Sequence, residues 1–414
     1  MKGRISNMEI ETLKRSHLKR NILIAVVVVL IISAVILQFT RARYRVTQSI
    51  PLVNGTINYT VPDLNAIALY VDGVSTDTLP DGNYKLTSAS YCEIDGERAE
   101  VTLSYDSATK ALSVTPFTTR GTKCTLYFKE VIGTPIIDVI ETVYEDNQDV
   151  LTYDGTSDNN LRYIGEDPSN YVYFNCDDYS NPSSDTCELW RIIGIFNENS
   201  HGLSGKKLVK LVRYESLGDI DWDSENVNDW SQASLQETLN GDYLNRTGSY
   251  NSTGITSQTR DMIATVTWKL GGLSNGSNTT ATFYNAERGT TVYSGRPTTW
   301  EGKIALIYPS DYGYATSGGR TGRATCLSHS LWDWDEYSNC YNNSWLYNND
   351  INRWTLTGYS RDNHSVFYMR YSGIVYYADR SSDSLAVLPS LYLTSEVTIT
   401  GGTGTQSDPY TLSM

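Results

Sequence analysis

Residues Ile22 to Phe39 form an uncharged, almost wholly apolar run, and a soluble domain has no easy place for it. As a helix its 18 residues reach roughly 27 Å, close to the ~30 Å hydrocarbon core of a bilayer. Lys2, Arg4, Lys14, Arg15, Lys19 and Arg20 precede the run, and Arg41, Arg43 and Arg45 follow it. The heavier basic flank holds the N-terminus in the cytoplasm and sends roughly 370 residues outward. A cleaved signal peptide is the rival reading. The run exceeds the usual ~7–15 residues of such a peptide, and Gln38-Phe39-Thr40-Arg41 offers no small-x-small cleavage site. A buried core helix is a third reading, but 22–39 lacks the polar face of a surface helix. The expectation is a basic cytoplasmic arm (1–21), a single-pass anchor in a bacterial membrane (22–39) and a cell-surface ectodomain.

Charge then limits what that ectodomain binds. Residues 1–45 hold nine of the 33 basic and two of the 47 acidic residues, leaving 24 against 45, a net charge of −21. Such a surface repels phosphate backbones, so nucleic acid is not an expected partner. Tyrosine dominates the aromatics at 31, with nine Trp and seven Phe. With abundant Ser, Gly and Asn, this resembles adaptable recognition surfaces, while extracellular β-structure favours Tyr as well. All six cysteines lie beyond the anchor in three local couples: Cys92 with Cys124, Cys176 with Cys187, and Cys326 with Cys340. Proximity and an outward location point to disulfides, and no Cys-x-x-Cys spacing supports zinc.

Residues 46–131 read as a small β unit. Val101–Tyr105 alternates apolar and polar, Asp106–Lys110 supplies a turn, and Ala111–Val114 returns. Further strands are expected at Ile57–Val61, Ala66–Val71 and Cys124–Val131, with a turn at Pro80-Asp81-Gly82, giving an immunoglobulin-like spacer sandwich. Residues 132–160 turn acidic and polar and read as a linker. Beyond Leu161 the pattern is mixed. Leu189–Phe196, Leu208–Arg213 and Lys303–Tyr308 read as strands. One helix is expected from Trp230 to Asn240, capped by Asp229 or Asn228, and a second from Ser257 to Leu270, capped by Thr256. Ile263, Val266 and Leu270 supply an apolar stripe to the second.

The runs Leu189-Trp-Arg-Ile-Ile-Gly194, Arg288-Gly-Thr-Thr-Val-Tyr293, Tyr308-Pro-Ser-Asp-Tyr-Gly-Tyr314 and Trp354-Thr-Leu-Thr357 resemble landmarks of a group of Gram-positive surface proteins carrying a domain of unknown function (DUF6273). The segment from Trp354 to Leu393 is similar to the signature of C-type-lectin-like and formylglycine-generating-enzyme-like folds, including the variable proteins of diversity-generating retroelements. The resemblance covers 161–414. It implies an α+β fold: anchor helix, immunoglobulin-like spacer and a C-terminal C-type-lectin-like domain. Relatives carry Val-Arg-Pro where this chain has Val387-Leu388-Pro389, so the contact of that arginine is not carried over. The copper-binding cysteine motif of formylglycine-generating enzymes is also missing, and that oxidation is not carried over.

Val366–Tyr371 and Ile374–Tyr377 flank Ser372-Gly373, a tight hairpin turn. Alternation places Phe367, Met369 and Tyr371 on one face and Val366, Tyr368 and Arg370 on the other. In a lectin-like fold this hairpin and the loops 359–364 and 378–384 form the ligand surface, with Trp354, Tyr359, His364, Tyr368, Arg370, Tyr376, Tyr377, Asp379 and Arg380 as candidate contacts for an extracellular peptide or glycan. An ordinary sheet with half-packed tyrosines is the competing reading. Asp333, Asp335 and Glu336 offer oxygen ligands for calcium, although no Asp-x-Asp-x-Asp-Gly loop is present. No other cofactor is expected. His17, His201, His329 and His364 fall in no zinc-protease, hydrolase or phosphate-loop motif. The expectation is a membrane-anchored binding or adhesion protein. An envelope assembly component and an enzyme on a formylglycine-generating-enzyme-like fold are the alternatives.

Overall fold

A computed structural model describes residues 48–51, 64–79, 84–94, 96–106, 111–115, 122–378 and 380–414. The expected basic arm and membrane span lie outside them, as do the expected strand at 57–61 and the turns at 80–82 and 107–110. Among the described residues no helix is long and apolar enough to cross a membrane. The chain divides into two compact units, one ending at Val131 and one beginning at Ile132.

The first unit is built on the strand Thr122–Glu130. Its alternation buries Cys124, Leu126 and Phe128 on one face while Lys123 stays wet. Leu64–Val71 pairs with it in parallel, and Tyr91–Ile94 and Tyr84–Leu86 pair antiparallel. A separate three-stranded sheet joins Gln48–Pro51, Ala111–Thr115 and Thr102–Asp106. Its Leu112 and Val114 share one apolar core with Leu69, Val71, Leu126 and Phe128. Cys92 and Cys124 face each other across adjacent strands and are bridged. The expected immunoglobulin-like sandwich is corrected here. That fold pairs antiparallel strands, whereas a long parallel ladder runs through the middle of this six-stranded sheet.

Strands dominate the second unit as well. A seven-stranded sheet contains Leu151–Tyr153, Leu161–Tyr163, Glu188–Phe196, Leu208–Arg213, Ser390–Tyr392 and Ile304–Ala305 in that order, with Tyr171–Phe174 pairing Glu188–Phe196 off the path. A five-stranded sheet runs Asp219–Asp221, Ser384–Ala386, Arg353–Gly358, Val366–Met369, Val375–Ala378. Smaller sheets of three and two strands complete it. Gly194 sits at a bulge where a Cβ would lie 2.0 Å from the Leu161 carbonyl oxygen, so the neighbouring strand approaches only because the side chain is missing.

Four expectations fail in this unit. The α+β fold of C-type-lectin or formylglycine-generating-enzyme type is not what these mixed sheets show, because the helices between them are short and few. The supposed linker 132–160 carries the helix Ile136–Asp146, and Ile136, Ile140 and Leu151 are buried in the main core. Its acidic residues had masked an amphipathic helix. The helix expected over 257–270 stops at Asp261, and Val266–Lys269 is a strand with Val266 and Trp268 buried. Val266, Trp268 and Leu270 fit a period of two as well as Ile263, Val266 and Leu270 fit a helix, and sheet pairing decides. Thr256 does cap the short helix, accepting from the Thr259 amide. The helix expected over 230–240 breaks at extended Ala233 into a 3₁₀ turn capped by Asp229, then Ser234–Thr238 and a π turn at Leu239–Tyr243.

A buried charged cluster ties these pieces together. Pro309 and Asp311 open the helix Pro309–Tyr314, and the Asp311 carboxylate reaches back to accept the Tyr308 amide. The same carboxylate receives Arg162 Nη1 at 2.7 Å and Lys210 Nζ at 2.6 Å. Arg162 Nε meets Asp154 at 2.8 Å. None of these four side chains is more than 1% exposed. Burial alone would raise the Asp311 carboxyl; Lys210 and Arg162 overcome it and hold the group well below the usual carboxylate range. For Lys210 burial wins, with Asp311 offsetting part of it, and the ammonium is pushed down to about 8.

Three outcomes follow. Asp311→Asn leaves two buried cations short of a counter-charge and should cost about 3–5 kcal/mol in denaturant unfolding. Because the folded Asp311 and Asp154 carboxyls both lie below their unfolded values, their contribution is complete above about pH 4 and drains as pH falls. Wild type should therefore lose stability steeply below pH 4, and Asp311→Asn, less stable from the start, more gradually. Ile140→Ala should cost about 2–5 kcal/mol, where a linker position would cost under about 0.5 kcal/mol.

Candidate functional site

The expected C-terminal hairpin is present, and its register sets the site. Val366–Met369 and Val375–Ala378 pair antiparallel with Tyr368 opposite Tyr376 and Phe367 opposite Tyr377. Trp354 stands opposite Tyr368 on the next strand inward. One face of the sheet therefore carries the row Trp354, Tyr368, Tyr376, with successive ring centroids 6.2 Å apart. Trp354 is fully buried and donates its indole N–H to the Ile220 carbonyl, which corrects its assignment as a ligand contact: it anchors the inner end of the row. Phe367 and Met369 are buried on the opposite face.

Val375–Ala378 is the last strand of its sheet, and an open edge invites unwanted pairing. Trp332 packs against that strand, its ring 4.1 Å from Tyr376 and 5.8 Å from Tyr377. Tyr377 in turn stacks on Tyr359 at 4.5 Å and 8°. Tyr359, Tyr377, Trp332, Tyr376 and Tyr368 are all half-buried, so they form a continuous aromatic rim whose rings brace one another. Arg370 extends it, its guanidinium carbon 5.7 Å from the Tyr371 ring centroid and 5.8 Å from that of Tyr376. Tyr371 beside it is 49% exposed. Trp332 is the member that no sequence motif marks: it precedes the acids Asp333, Asp335 and Glu336, and the rings it meets lie far along the chain.

The loop 359–365 is pinned by Asn228, which the sequence offers only as a candidate helix cap. The Asn228 side-chain amide donates to the carbonyls of Tyr359, Asp362 and Ser365 at 2.9, 3.1 and 2.9 Å. The Asp362 carboxylate accepts the His364 and Ser365 amides, and His364 Nδ1 lies 3.7 Å from it. The Ser381 amide bonds the His364 carbonyl, joining this loop to the one that carries exposed Arg380. Asp379 lies outside the described residues. Leu388 is buried.

The calcium candidates can be placed. Asp333, Asp335 and Glu336 sit on the 3₁₀ helix Leu331–Glu336, whose three residues per turn send Asp333 and Asp335 in different directions while Trp334 enters the core. Among the described residues no group of three or more His, Cys, Asp or Glu side chains is placed to hold a metal ion. A polar cleft of about 460 Å³ lies elsewhere, lined in part by Asp158, Lys269, Tyr284 and Arg288. Asp158 there is engaged by the Tyr284 hydroxyl and by Arg288 at 3.3 Å, so these partners already occupy its carboxylate.

Cys176 is bridged to Cys187, and Cys326 to Cys340; the three disulfides of the chain fit an extracellular protein. No protein-family model, no curated protein and no solved structure matches this chain.

Gly276 offers a direct check on the rim. A Cβ there would meet the Trp332 ring at 2.5 Å and Tyr377 at 3.4 Å. Gly276→Ala should displace Trp332, cost about 1–3 kcal/mol and weaken the near-UV circular dichroism from the stacked rings; an unchanged spectrum and melting temperature would contradict the geometry.

Proposed function

We propose that this chain is an extracellular binding protein, held at a bacterial surface by residues 22–39, that recognises a glycan along the aromatic rim. The observation that carries the reading is the row Tyr359, Tyr377, Trp332, Tyr376, Tyr368 at the edge of one sheet, continued by Arg370. Mutual stacking fixes these rings before any ligand arrives, so binding costs little side-chain entropy. Ring faces and phenol hydroxyls suit a surface of C–H groups and hydroxyls, which is what a sugar presents. Arg370 adds a forked donor for a polar substituent. The acidic ectodomain, the disulfides and the motif resemblance of 161–414 support a surface location.

A glycan array probed with the full chain in detergent tests it. Tyr368→Ala/Arg370→Ala/Tyr376→Ala should lose at least tenfold in affinity for whatever glycan wild type retains. Failure of the wild type to bind any glycan, or equal binding by the variant, ends the proposal. Topology has its own test: protease added to intact cells should remove a C-terminal epitope, and an epitope protected until lysis contradicts the anchor.

A further inference from the structure

Among the described residues, Arg353 is a buried charge with no ion-pair partner. It opens the strand Arg353–Gly358 and is only 5% exposed. Its Nη2 is buried with no hydrogen-bond partner, and among the described residues no carboxylate lies in ion-pair range of its guanidinium. Burial pushes the guanidinium down to about 10, with only the Tyr312 phenol acting against it. The other buried arginines of this unit are different. Arg162 has Asp154 and Asp311, and Arg288 has Asp158 and Glu287. A buried guanidinium left unpaired is a strong penalty, and folds remove it unless something else supplies the anion.

Arg353 lines a pocket of about 220 Å³ together with Arg191, Arg213, Tyr171, Tyr214 and Trp345. The other cations at this pocket are already engaged. Arg191 donates to Asn170, to Asp167 at 2.9 Å and to the Pro168 carbonyl, and it lies 3.9 Å over Tyr171 and 4.7 Å over Trp345. Arg213 meets Glu188 at 3.0 Å. Asp167 also accepts from the Tyr171 hydroxyl. Glu166 stands exposed at the mouth. Arg353 is thus left as an unmatched positive charge in an aromatic-walled space somewhat below the ~300 Å³ at which drug-sized pockets begin.

We propose that this pocket binds the carboxylate of an acidic sugar residue, with Arg353 as its counter-ion. Forked guanidinium donors match a carboxylate in two-point geometry. Peptide C-termini are typically captured in nests of backbone amides, whereas the donors here are side chains. Tyr214, Tyr171 and Trp345 supply flat walls for a ring. Pocket and rim are separate sets of residues. Rim variants should therefore leave this site intact, and its failure would leave the rim reading standing.

The test is thermal melting of the full chain with sodium glucuronate, glucose or sodium acetate. Glucuronate at ten times its dissociation constant should raise the wild-type melting temperature by about 3 °C or more, and glucose should not. Arg353→Met should lose the glucuronate response while melting, unliganded, at or above the wild-type temperature, because it removes an unpaired buried charge. Tyr214→Ala, at a wall residue 41% exposed, should keep the wild-type melting temperature and bind glucuronate at least tenfold more weakly. Equal responses to glucuronate and glucose, an Arg353→Met variant that still responds or melts below wild type, or an acetate response matching that of glucuronate would each overturn the proposal.

Discussion

Asp311 is the residue on which the second unit turns. One carboxylate accepts the first amide of its own helix and neutralises two cations arriving from different strands, Arg162 and Lys210. Neither cation has access to water, so each strand must be in register for the other's charge to be tolerated. An apolar core of this size tolerates small slips. A buried three-charge contact does not, and it therefore specifies how Leu161–Tyr163, Leu208–Arg213 and the helix Pro309–Tyr314 meet. Asp154 completes the arrangement, because Arg162 would otherwise share its only counter-charge with Lys210.

That rigidity matters for the rim. The helix that carries Asp311 also carries Tyr312, whose hydroxyl donates to the Gly373 carbonyl at the turn of the C-terminal hairpin, 2.7 Å away. Tyr312 also packs its ring 5.1 Å from Trp334, two residues from Trp332. The charged cluster and the aromatic rim are therefore joined through one short helix. A binding surface built on strands and braced from the core holds its geometry better than one carried on free loops.

Much of this was legible in the sequence, and the failures have physical causes. The strands Leu189–Phe196 and Leu208–Arg213, the caps Asp229 and Thr256 and the C-terminal hairpin follow from local pattern. Lys210, flanked by Leu208-Val209 and Leu211-Val212, was a signal passed over: a charge inside a strand apolar on both faces needs a buried partner. The partner itself was not readable, because Asp311 is 101 residues distant. Trp332 escaped notice for the same reason, since its neighbours Tyr376 and Gly276 are brought to it only by the sheet edge. The helix within 132–160 was hidden by its solvent-facing acids, and Val266–Lys269 by an apolar spacing that serves both periods. The lectin-like expectation rested on short motifs, which report local chemistry more faithfully than sheet order.

The central claim is that the rim formed by Trp332, Tyr359, Tyr368, Tyr376 and Tyr377 is a preformed glycan surface. Hydrogen–deuterium exchange of the full chain, with and without a saturating glycan taken from the array, reads it most directly. The account predicts added protection in peptides covering 330–337 and 366–378, with little change in the already slow strands 188–196 and 208–213. Protection that appears elsewhere in the chain, or none at all under saturating ligand, would contradict it.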